Sequence, residues 1–123
     1  MASIDNFTAE TRVIQESVPG RQITLAHIIA APDKILYEKL GLDPSLDYKK
    51  SAIGVMTVTP YETTIIMADI AMKASGIELG FVDRFSGSLI ITGTVSEVEA
   101  AVTAILQYAD EKLGYTVCKI TRT

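Results

Sequence analysis

Tryptophan is absent from this 123-residue chain, and cysteine and histidine occur once each, as Cys118 and His27. A single cysteine cannot close an internal disulfide, and it fits a reducing compartment. A single histidine leaves no His-based metal set, and neither C-x-x-C nor H-x-x-x-H spacing occurs. No serine sits in a G-x-S-x-G elbow, and the glycines form neither a phosphate-binding P-loop nor G-x-G-x-x-G. Lysine and arginine never form a run, and the net charge is −4, so the footprint of a nucleic-acid binder is missing. No stretch approaches the ~20 apolar residues of a membrane span. Residues 1–12 lack the basic start and apolar centre of a secretory signal, so a cytoplasmic protein is expected.

What is present is an ordinary globular balance. Apolar residues make up 48% of the chain and charged residues 21%, enough for one domain with a real core. Residues 1–20 read as a polar leader followed by a short strand, Val13, Ile14, Gln15, Glu16, Ser17 and Val18, which Pro19-Gly20 breaks. An isolated short strand is marginal in water. It pairs either with the edge of its own sheet or with a copy of itself.

Residues 21–123 read as the folded domain. The apolar run 22–30 is a strand buried on both faces, with His27 inside it as a core or interface residue. Residues 32–40 are a short helix with Pro32 at its first position, Gly41 after its end, and Ile35, Leu36 and Leu40 as its stripe. A polar loop over 43–51 follows. Residues 52–58 are a strand, and Thr59-Pro60-Tyr61-Glu62 forms a capping box for a helix to about Ser75, with Gly76 beyond it. Ile65, Ala68, Asp69, Met72 and Lys73 recur on it at helical spacing.

Two strands, 77–82 and 88–92, flank the loop Asp83-Arg84-Phe85-Ser86-Gly87, where Ser86-Gly87 suits a turn needing positive φ. Ser96 and Glu99 form a second capping box. The helix it starts carries Val98, Ala101, Val102, Ile105, Ala109 and Leu113 on one face and ends at Gly114. Residues 115–121 close the chain as a strand. The order over 52–122 is therefore β-α-β-β-α-β, the ferredoxin-like order, in an α+β architecture with an extra strand and helix in front. Helices are expected on one sheet face. The other face then needs cover, which points to oligomerisation.

Asp83 and Arg84 read either as an ion pair within or between subunits or as an active-site pair. Three functions compete on the residues: a structural assembly subunit, a small-ligand sensor binding through Arg84, Lys49 and Lys50, and an enzyme using Asp83, Arg84 and His27. The empty catalytic inventory points away from an enzyme, with no catalytic residue, cofactor or metal expected.

Four stretches in combination, VIQESVPGRQITLAHIIAAP, SAIGVMTVTP, IELGFVDRFSGSLIITG and TVCKITRT, closely resemble bacterial microcompartment (BMC) shell proteins. The chain looks like the circularly permuted hexameric type of the ethanolamine- and propanediol-utilisation compartments, over about residues 13–123. The resemblance implies a flat cyclic homo-hexamer that tiles with other shell proteins around encapsulated enzymes, in the cytoplasm, without nucleic acid or membrane. It implies that Arg84, Phe85, Ser86 and Gly87 surround the six-fold axis as the pore loop, and that Asp83 and Arg84 contact neighbouring subunits. It places Lys73 at the hexamer edge. Val13 to Val18 would join five copies in a parallel β-barrel that caps the pore. The turn Ala30-Ala31-Pro32 lacks the arginine that ordinary shell domains carry there, which departs from standard edge-to-edge packing.

Overall fold

A computed structural model describes residues 20–42 and 51–123. The strand expected over 13–18, Lys49, Lys50 and nearly all of the 43–51 loop lie outside the described residues. Five strands and three helices follow one another: β1 (Gln22–Ala30), α1 (Lys34–Leu40), β2 (Ser51–Thr59), α2 (Thr63–Ala74), β3 (Glu78–Asp83), β4 (Ser88–Thr94), α3 (Val95–Glu111) and β5 (Thr121–Arg122). The sheet order is β3-β4-β2-β1-β5. Every pairing is antiparallel except β1 with β5.

The element order β2-α2-β3-β4-α3-β5 is the β-α-β-β-α-β expected over 52–122, but the sheet inserts β1 into it. In a four-stranded sheet of that kind the closing strand would lie against β2. Here β1 takes the place, pairing with β2 from Gln22↔Thr59 to Ala30↔Ala52. The closing segment is displaced to the edge beyond it. β1 is the stronger competitor because it is longer and supplies Ile23, Ala26 and Ile28 to the core.

The closing strand is also shorter than expected. Only Thr121–Arg122 forms a ladder, and Thr116 makes an isolated bridge to Gln22. β1 is bulged between Ile23 and Leu25, and a bulge turns a strand locally. Alongside it the closing segment holds by side chains instead, with Val117, Cys118 and Ile120 packed against the core.

Three helix starts move. Thr59 cannot cap α2, because its backbone belongs to β2 and pairs with Gln22. The helix begins instead from a tight turn, in which the carbonyls of Pro60, Tyr61 and Glu62 accept from the N–H groups of Thr63, Thr64 and Ile65. α1 is capped by Asp33, whose side chain accepts from Ile35 N at 2.9 Å. α3 starts at a capping box two residues earlier than expected: Glu97 N donates to Thr94 Oγ1 at 3.1 Å, and Thr94 N donates to Glu97 Oε1 at 2.9 Å. Both T-x-x-E and S-x-x-E are written in the sequence, and the earlier one brings Val95 against the core. Glu99 is left to pair with Arg122.

Glu97 also organises its surroundings. Its backbone carbonyl accepts from Ser75 Oγ at 2.8 Å, at the end of α2. A Cβ at Gly76 would stand 2.8 Å from its Oε2, and one at Gly93 3.0 Å from its Oε1. Gly76 is thus there for space and not for a left-handed cap.

α2 and α3 lie side by side on one face of the sheet. Val98, Ala101, Val102, Ile105 and Ala109 of α3 are buried, as the periodicity predicts. The buried face of α2 is Thr63, Thr64, Met67, Ala68 and Ala71, so the expected stripe is displaced. Ile65 and Met72 point outward, 52% and 57% exposed. On the other sheet face, α1 covers one end, which corrects the expectation of helices on one face only. Its buried residue is Tyr37, whose hydroxyl donates to Ser51 Oγ at 2.8 Å, while Ile35 and Leu40 are exposed.

Candidate functional site

The loop between β3 and β4 is built around Asp83. Its Oδ1 accepts from Phe85 N at 2.9 Å, its Oδ2 from Ser86 Oγ at 2.7 Å, and its carbonyl from Gly87 N at 2.9 Å. The Ser86 hydroxyl, and then the Phe85 N–H, hold the Asp83 carboxyl below its usual range, because both bond to the charged form. Asp83 and Arg84 do not pair within the loop. Arg84 instead lies over the Phe85 ring, 5.0 Å from guanidinium carbon to centroid, a contact worth roughly 0.5–1 kcal/mol at an exposed site.

Gly87 anchors this loop to the sheet. Its carbonyl accepts from Val58 N at 2.9 Å. Its φ is +80°, and a Cβ there would lie 2.3 Å from Val58 O and 2.8 Å from Tyr61 Cδ1. Both the backbone conformation and the space exclude a side chain. The result is a rigid loop presenting Phe85, 75% exposed, beside a groove of about 330 Å³ lined by Ile65, Val82, Asp83, Arg84 and Phe85.

Lys73 is elsewhere. It stands eight residues after Ile65 on the same helix, roughly 12 Å along the axis. Its Nζ lies 2.8 Å from Asp69 Oδ2 in an exposed i, i+4 pair. Hydrogen bonding to Asp69, then its charge, raises the Lys73 pKa. A second shallow groove, about 340 Å³, runs past Lys73 between Ile66, Asp69, Ile70, Ala74 and Tyr108.

His27 joins neither place. Its Nδ1 lies 2.6 Å from Thr121 Oγ1 and its Nε2 2.9 Å from Thr123 Oγ1, so the ring holds the closing segment. The register His27↔Val55↔Ile90↔Phe81 puts it three strands from Phe81, roughly 14 Å, with the loop displaced further along the strands. Asp83, Arg84 and His27 are therefore not brought together as an enzyme would need. Among the described residues no group of three His, Cys, Asp or Glu side chains could hold a metal, and no helix is long and apolar enough to cross a membrane.

Sequence reasoning missed Ile65 and Tyr61 as neighbours of the loop. The available signal was that the apolar residues of α2 spread well beyond one face, with only Asp69 and Lys73 charged, a pattern of helices covered on more than one side.

The BMC domain family model matches residues 52–121. The chain belongs to the BMC domain family. Curated relatives of this BMC domain protein carry shell-protein names. It is 50% identical over 112 residues to the bacterial microcompartment shell protein PduU of Salmonella typhimurium (strain LT2), covering 91% of this chain and 93% of that one. It is equally 50% identical over 112 residues to the bacterial microcompartment shell protein CutR of Streptococcus intermedius, covering 91% and 92%. Among solved structures, a flat hexamer of CutR superposes with a TM-score of 0.78 at 49% identity, covering 91% of this chain and 92% of that one. These likenesses favour the shell subunit over the ligand-sensor alternative.

Proposed function

We propose that this chain is a structural, non-enzymatic subunit of a bacterial microcompartment shell, assembling as a cyclic homo-hexamer with a capped central pore. The observation that carries the reading is the match to a hexameric shell protein over nine-tenths of both chains, supported by an exposed loop tied together by Asp83. In this reading Arg84, Phe85, Ser86 and Gly87 surround the axis. Asp83 and Arg84 face the adjoining subunits, each with bonding capacity beyond its own loop. Lys73 lies at the hexamer edge, where other shell proteins adjoin; encapsulated enzymes are further partners, and the shell stands in the cytoplasm.

The chain is a circular permutation of the ordinary shell domain. The support is that the family model begins at residue 52, yet β1, which precedes it, occupies an interior place in the sheet. Val13, Ile14, Gln15, Glu16, Ser17 and Val18 supply the intersubunit barrel that caps the axis, and a closed barrel leaves no strand edge.

Light scattering on the purified protein tests the assembly. A hexamer mass at micromolar concentration is expected, and a clean monomer would overturn the reading. Deleting residues 1–20 should leave the hexamer and open its axis in electron micrographs. A deletion that abolishes folding would contradict a plug.

A further inference from the structure

Among the described residues Phe85 is the most exposed large apolar side chain, and its backbone N–H is bonded to Asp83 Oδ1. The backbone on both sides of it is bonded to Asp83, so burying the ring costs little further ordering. Beside it lies the groove walled by Ile65 and Val82, open to solvent and of a size to take an aromatic ring. Neither knob nor socket is covered within one chain, since Ile65 is 52% exposed.

Ring geometry relates the two. In a six-fold ring, equivalent atoms of neighbours are as far apart as each is from the axis. A loop close to the axis therefore meets its neighbour's copy of the same region. A knob and a socket set side by side on one chain then engage in turn around the closed ring.

We infer that Phe85 of each subunit seats between Ile65 and Val82 of the next, so that the loop locks the ring and its aromatic side chain turns away from the lumen. The occupant is a second copy of this chain, and the inference rests on the cyclic hexamer proposed above.

The absence of tryptophan supplies the test. Phe85→Trp places the sole fluorophore of its kind at the knob. The assembled variant should emit at shorter wavelength than the same protein diluted to monomer, and adding Ile65→Asp should abolish that shift. Phe85→Ala should raise the concentration at which the hexamer dissociates by about 100-fold or more, as loss of a central aromatic anchor does. Far-UV circular dichroism of dilute protein should be unchanged, because the ring is exposed in the single chain. A hexamer that keeps the wild-type dissociation concentration with Phe85→Ala, or a solvent-like indole emission from the assembled Phe85→Trp ring, overturns the contact and leaves the hexamer standing. A wild-type chain that is monomeric throughout overturns the ring and the contact together.

Discussion

α2 and α3 lie on the same face of the same sheet, yet their sequences make different statements. α3 keeps most of its apolar side chains on one side: Val98, Ala101, Val102, Ile105 and Ala109 are buried, and Thr103, Gln107 and Asp110 face water. Such a helix is complete in one chain. α2 buries the small residues Ala68 and Ala71 with Met67, and then offers Ile65, Ile66 and Met72 outward. A solvated helix gains nothing from that second apolar face. The difference separates residues that specify the fold from residues that specify what the fold meets.

Substitutions should divide along the same line. The largest loss of stability is expected in α3, where Ile105→Ala removes a fully buried side chain and should cost about 2–5 kcal/mol in denaturant unfolding. Gly87→Ala comes next. Strain at positive φ amounts to roughly 1–3 kcal/mol, and the collision with Val58 O displaces the loop besides. Both a lowered unfolding midpoint and lost hydrogen-exchange protection at Val58 N should report it. Thr94→Ala removes the cap of α3 and should cost about 0.5–2 kcal/mol in the same unfolding assay. Ile65→Ser, on the outward face of α2, should change the unfolding of dilute monomer by no more than ~0.5 kcal/mol while weakening self-association. An Ile65→Ser chain as destabilised as Ile105→Ala would erase the distinction between the helices.

The smallest effect is pH-dependent. Asp83 has a lowered folded-state pKa, so its contribution is present above the unfolded carboxylate pKa and is lost as pH falls through the folded value. Acidification should therefore loosen the loop, seen as a lower protection factor at Phe85 N once the intrinsic pH dependence of exchange is divided out. Asp83→Asn should remove that pH dependence.

Much of this was legible in advance. α3, β1 and the hairpin around residues 83–87 follow from periodicity and turn chemistry, which are local properties. The sites of failure were those decided at a distance. Two overlapping capping boxes, at Thr94 and Ser96, are equivalent on paper, and the packing of Val95 chooses between them. Which face of α2 is buried depends on the sheet beneath it, not on spacing along the helix. Nothing in the neighbourhood of His27 announces Thr121, 94 positions away. The place of β1 beside β2 is likewise invisible to any pattern of local order. Within the candidate site, the loop and the adjoining Val82 could be named from the sequence, but Ile65 comes from α2 and only the fold brings it there.

The joint around Glu97 has a mechanical consequence. One residue caps α3, accepts the Ser75 hydroxyl at the end of α2, and fills the space left by Gly76 and Gly93. Lys73 is mounted two residues before Ser75. A push or pull on that lysine is passed directly into the start of α3 and the sheet beneath, with no slack loop to absorb it. In the proposed hexamer, with Lys73 at its edge, the tilt of that edge would follow from this one buttress, and altering Gly76 or Gly93 should change it without touching the surface.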